Sequence, residues 1–214
     1  MSPLFGYLDH SGGIMSDGIE IDLSEARKSA ELVRDVLRRL RSNFDLTPYE
    51  FTRSVRIAPG EIPHSHPTLT LNTMIRGEEQ LLCTYLHEQM HWYVTWYSYA
   101  NRPGWQAISE AIKHMMPSVP VQFPQGAHTE ASSYLHIIIN WLEVEVAAAL
   151  LGRAEAMKLA AENFVYSGIY ELVLQDWNNL ESLYLKHGLV PIRPATEFSN
   201  EDLLLAARQD EAEG

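Results

Sequence analysis

Residues His87-Glu88-Gln89-Met90-His91 spell H-E-x-x-H, and on a helix that spacing has chemical meaning. Side chains four apart stack on one face, with Cβ atoms about 5–6 Å apart. Two imidazoles so placed can hold one metal ion. Glu88, beside the first histidine, can reach a water bound to that metal without being a ligand itself. Two neutral nitrogen ligands and a proton-accepting carboxylate are the minimum a zinc hydrolase needs.

A catalytic zinc ion usually takes three protein ligands and keeps one position open. The third ligand must come from another element. In the largely apolar segment Thr129–Leu151, His136, Asn140 and Glu143 recur at i, i+4 and i+7 and form one polar stripe. Such a stripe in a buried helix needs partners, and the face bearing His87 and His91 would supply them. His136 and Glu143 are the two candidates for the third ligand, with His136 preferred; Glu130 is a more distant option.

On His87, Glu88 and His91, together with the β-rich stretch Pro67–Thr73 upstream, the chain resembles the zincin superfamily of zinc metallopeptidases. Val94 and Tyr97 stand where the metzincin extension would have Gly and His, which excludes that branch. In the related gluzincin branch a glutamate on a second helix is the third ligand, and a carboxylate four residues later orients the first histidine. This chain offers the same i, i+4 geometry with different residues, so by analogy one Zn²⁺ is expected on His87, His91 and His136, with Asn140 as the acceptor behind an imidazole N–H. Glu143 is either the alternative ligand or a supporting group. The resemblance further implies Glu88 as general base and a peptide or protein as substrate. An edge strand over Thr68–Thr73 would pair with the extended substrate. A tyrosine or histidine would stabilise the oxyanion; we assign Tyr170, with Tyr134, Tyr166, His64 and His66 open as alternatives.

The elements that must position these groups are legible in outline. Glu78–Ala100 contains no proline or glycine and stops at Asn101-Arg102-Pro103-Gly104, so the motif falls mid-helix. Thr129–Leu151 is closed by Gly152. A first helix, capped by Asp22 or Ser24, runs to about Ser42 with Ala26, Ala30, Val33, Leu37, Leu40 and Phe44 at helical spacing. Phe51–Ala58 alternates as a strand. Further helices are expected over Trp105–Met116, Ala154–Phe164 and Tyr166–His187, and the prolines at 117, 120 and 124 make an irregular connection at the rim of a cleft. Residues 1–18 read as irregular. The whole is expected to be α+β, a mostly helical zincin-like domain over residues 1–194 with a small sheet. Residues 195–214 form an acidic tail whose amphipathic piece, Glu201–Arg208, docks or stays mobile.

Composition narrows the partners. The chain has 214 residues, 46% of them hydrophobic, and a net charge of −12, which argues against nucleic acid as main partner. No run of eighteen apolar residues suggests a membrane span. The N-terminal residues lack signal-peptide character, and the single cysteine, Cys83, suits a reducing compartment, so the expected location is the cytoplasm. Cys83 precedes His87 by one helical turn and reads as a buried thiol. The competing reading of function is a non-catalytic metal-binding or regulatory protein on the same scaffold; a helical interaction domain without metal is a third.

Overall fold

The computed structural model describes residues 18–25, 27–74 and 76–209. The irregular stretch expected before Gly18, the place of Ala26 on the first helical stripe and the end of the acidic tail lie outside the described residues. The elements are β1 (Glu20–Leu23), α1 (Lys28–Asn43), β2 (Ser54–Ile57), β3 (Leu69–Leu71), α2 (Glu78–Ala100), α3 (Arg102–Met115), α4 (Glu130–Leu151), α5 (Arg153–Glu162), α6 (Ser167–Gln175), α7 (Trp177–His187) and α8 (Asn200–Ala206). Helix dominates, and the three short strands form one parallel sheet in the order β1-β2-β3, so the α+β class holds.

β1, α1 and β2 form a βαβ unit in which Ile21 pairs with Val55 and Leu23 with Ile57. The expected cap residues of α1 lie elsewhere. Asp22 sits inside β1 opposite Arg56, and the Ser24 hydroxyl donates to the Ile57 carbonyl. α1 starts after Arg27 without a side-chain cap. Four residues are too few for a period-two pattern to stand out, and β1 exists because β2 offers it a ladder.

α2 and α4 are the centre of the molecule. Each is buried on nearly every face, as a helix apolar all round must be. They run antiparallel, because His87 of α2 meets Glu143 of α4 while His91, one turn on, meets His136, nearly two turns back. The rotation of α2 is fixed from outside the motif face. The Gln89 side chain accepts from Thr52 N (3.1 Å) and donates to Thr52 O (2.9 Å). A buried, bidentate Arg41–Glu50 pair also receives the Tyr85 hydroxyl, tying α1 to α2. α4 is, by length and a mean hydropathy of 1.5 over its most apolar window, the one described helix apolar enough to cross a membrane, but 72% of that window is buried here, as a core helix requires.

One further expectation changes, and an open one is decided. The single helix expected over Tyr166–His187 is two, α6 and α7, broken at Asp176 (φ −103°, ψ 21°). The break lets Trp177 stack on Trp141 of α4 at 4.7 Å, a tertiary contact that outweighs local helix preference. The acidic segment docks through α8: Trp96 Nε1 donates to Asp202 (2.7 Å) and His66 Nε2 to the Ala206 carbonyl (2.9 Å), with Ser199 and Asp202 forming a capping box.

Candidate metal centre

The antiparallel helix pair brings His87, His91 and His136 together. Their ring centroids are 5.1 Å (87–91), 5.4 Å (87–136) and 5.1 Å (91–136) apart, and one nitrogen from each lies within 4.8 Å of the other two. An ion at the centre of such a triangle is within ~2.8 Å of all three, against Zn–N distances of ~2.0–2.1 Å. Closing that gap asks only for small side-chain rotations. All three histidines are buried, and His87 keeps the most exposure, 11% of its side chain.

The groups behind the rings decide which nitrogen faces the centre. His136 Nδ1 lies 2.8 Å from the Ser132 carbonyl oxygen; a carbonyl only accepts, so Nδ1 carries the proton and Nε2 keeps its lone pair. His87 Nδ1 donates to Glu143 Oε2 at 2.9 Å, which again leaves the Nε2 lone pair as the one that could bind a metal. The same Glu143 oxygen accepts the Tyr170 hydroxyl at 2.5 Å. Burial, and after it the neighbouring His91 and His87, push the His136 pKa well below the ordinary imidazole value. A neutral ring is what metal binding needs. Burial and the Glu143 carboxylate push the Tyr170 hydroxyl well above the usual phenol range, so it stays a donor.

Of the two candidates for third ligand, His136 joins the cluster, and Glu143 stands behind His87 as its acceptor. The supporting role expected of Asn140 falls to Glu143. Asn140 is fully buried, and its amide makes no hydrogen bond among the described residues. It sits on the right stripe, but at the axial level of the gap between His136 and Glu143, where no imidazole N–H reaches it. Tyr170 is also corrected. Its hydroxyl donates to Glu143 on the Nδ1 edge of His87, so it braces that carboxylate and does not face the centre of the three rings. Glu88 is buried beside His87 on α2.

Other expected site residues do other work. Tyr134 donates to the Met116 carbonyl (2.8 Å), and Glu130 lies exposed in the first turn of α4. His64 forms an antiparallel bridge with Thr70. That bridge matters for the expected substrate strand. Both backbone groups of Thr70 that point away from β2 are bonded to His64 (3.1 and 2.8 Å), so the outer edge of β3 is already taken at its centre. Burial pushes the Cys83 thiol up, with Glu143 adding to the shift, and leaves it an un-ionised core group.

Tyr166, one of the alternatives to Tyr170, is the tyrosine at the cluster. Its ring lies 4.2 Å from that of His136 and 5.8 Å from that of His87. It caps α6 in the left-handed conformation (φ 58°, ψ 28°), which its sequence gives no sign of. His128, just before the Thr129 cap of α4, is the other described non-glycine residue with positive φ (66°). Left-handed backbone at such residues persists only where the surroundings over-determine it, and it gathers at functional sites. No family model, curated protein or solved structure matches this chain.

Proposed function

We propose that the chain is a zinc-dependent hydrolase, a peptidase, with His87, His91 and His136 as ligands of one Zn²⁺. The reading rests on one observation above the rest: three buried imidazoles converge from two helices, two with Nδ1 engaged behind them and Nε2 directed inward. A bound zinc ion supplies Lewis-acid activation of water and of a carbonyl. Glu88 accepts the proton of the attacking water and returns it to the leaving amine. Glu143 holds His87 in one tautomer and rotation, Tyr170 holds Glu143, and the Ser132 carbonyl does the same for His136. Tyr166, against two of the three rings, is better placed than Tyr170 to donate to a developing oxyanion. The substrate is a peptide or protein, nucleic acid is disfavoured by the charge, and a cytoplasmic location fits the lone buried cysteine.

A second reading has an observation in its favour. The cluster is nearly closed to solvent, and the β3 edge is occupied by His64. A metal-binding protein with a regulatory rather than hydrolytic role would tolerate both. Metal analysis separates the two. Purified chain should carry about one Zn²⁺; His87→Ala should lose it; Glu88→Gln should keep it while losing peptide cleavage by 100-fold or more, at the order expected for a general base. A wild type that holds zinc but cleaves nothing in a broad peptide mixture decides for the second reading. A metal-free wild type sinks both.

A further inference from the structure

Two loops meet beside the histidine cluster, and their composition departs from the rest of the chain. Residues 117–129 and 163–170 contain no Asp, Glu, Lys or Arg, although 21% of the protein is charged. They also hold three of its large exposed apolar side chains, Phe123 (51% exposed), Phe164 (53%) and Val165 (40%). The three form a surface rather than scattered points. Phe123 meets Phe164 edge-on at 6.1 Å and lies parallel to the His128 ring at 5.8 Å. The loops are stitched together by Ser167 N to Pro124 O (3.3 Å) and Ile169 N to Gln125 O (3.2 Å). A Cβ on Gly168 would meet Pro120 and Gln125 at 3.0–3.1 Å, so they also pack closely. A groove of about 500 Å³ begins in the same loops at Gln125, Ser167 and Gly168 and follows α6 past Glu171.

The lip is continuous with the cluster. Phe164 and Val165 run directly into Tyr166, whose ring covers His136, and His128 leads into the cap of the helix that carries His136. The two described non-glycine residues with left-handed backbone, His128 and Tyr166, thus lie where the apolar lip passes into the histidine cluster.

We propose that this lip is the substrate-recognition surface of the site, and that it takes a large apolar side chain, aromatic or branched aliphatic, of a peptide next to the bond being cleaved. The inference rests on the zinc-peptidase reading and adds the substrate class. Exposed aromatic rings on loops that carry no charged residue gain by covering with apolar surface. Glu130, Glu162 and Glu171 flank the uncharged loops, which disfavours an acidic side chain there.

The test uses zinc-loaded full-length protein and three probes, the hydroxamates of N-acetyl-phenylalanine, N-acetyl-glycine and N-acetyl-aspartate. The hydroxamate reads the metal and the side chain reads the lip. Calorimetry should give the phenylalanine probe roughly tenfold tighter binding than the glycine probe, the order set by covering one ring, and the aspartate probe no tighter than glycine. In the Phe123→Ser/Phe164→Ser double variant the phenylalanine advantage should shrink to about twofold or less, with zinc content showing that the fold survives, while Phe164→Leu should retain most of it. Equal affinities of the wild type for phenylalanine and glycine probes overturn the lip alone and leave the metal site standing. So does an advantage that persists in the double variant. Zinc-loaded protein that binds none of the probes, or protein that takes up no zinc, overturns the site and the lip together.

Discussion

His66 and His136 are both buried imidazoles packed against α2, yet their ring nitrogens are used in opposite ways. His66 is closed. Nε2 donates to the Ala206 carbonyl at 2.9 Å, Nδ1 faces the Ser65 hydroxyl at 2.9 Å, and the ring stacks on Trp92 at 4.5 Å. It fastens α8 to the body of the fold. His136 is engaged at Nδ1 only, and its other nitrogen is turned towards two further imidazoles. A histidine with both edges satisfied is structure; three buried imidazoles that converge within 4.8 Å of one another could hold a metal ion. The rest of α2 divides the same way. On the α8 side the Trp92 and Trp96 indoles are matched to Ser65 O and Asp202, whereas on the α4 side polar atoms point at each other.

The sharpest way to break this contrast is to truncate both histidines. His136→Ala should lower zinc affinity by more than roughly 100-fold, since it removes one of three ligands, with a modest change in the apo-protein's thermal midpoint. His66→Ala should do the reverse. It leaves the Ala206 carbonyl without its donor and Trp92 without its stacking partner, a loss of about 1–3 kcal/mol, with zinc stoichiometry unchanged. Zinc titration and thermal melting of both variants read the two effects separately. If His66→Ala sheds zinc, or His136→Ala keeps it, the division between closing and binding histidines is wrong.

The same division was only partly open to a reader of the sequence. The long helices were legible because α2 and α4 carry continuous apolar patterns between strong stop signals, and those two helices bring His87, His91 and His136 together. The spacing of His136, Asn140 and Glu143 placed all three on one stripe, but a stripe does not say which axial level faces a partner, and it is Glu143, not Asn140, that stands behind His87. Tyr166 and Tyr170 share a helical face on paper. The left-handed turn at Tyr166 and the break at Asp176 come from contacts with other segments, as does β1, and no local pattern encodes them. His66 looked like a site residue because Pro-His-Ser-His-Pro says nothing of a helix docking 140 positions later.

Acid gives a smaller and graded test. The folded-state pKa of His136 is depressed, so the unfolded chain binds its proton more readily. Stability from this group is therefore full above the unfolded value of ~6.5 and is lost as pH falls from there towards the folded value, by up to about 1.4 kcal/mol per pH unit. Denaturant melts of metal-free protein between neutral pH and about pH 5 should show that slope, and His136→Ala should flatten it. An unchanged slope in the variant would move the acid sensitivity to another group.

Asn140 offers the smallest effect and the finest discrimination. Its amide is fully buried on the stripe between His136 and Glu143 and has no hydrogen-bond partner among the described residues, so it carries a desolvation cost with nothing to offset it. Replacing it by leucine, of similar size, removes that cost without taking a partner from anything. Asn140→Leu should therefore leave stability unchanged or raise it by up to about 1 kcal/mol, with zinc affinity within about threefold of wild type, below the ~10–100-fold that loss of a ligand's supporting acceptor brings. A larger fall in zinc affinity would mean that the amide bears on an imidazole after all, through a bridging water, and the support of the cluster would then include Asn140 alongside Glu143 and the Ser132 carbonyl.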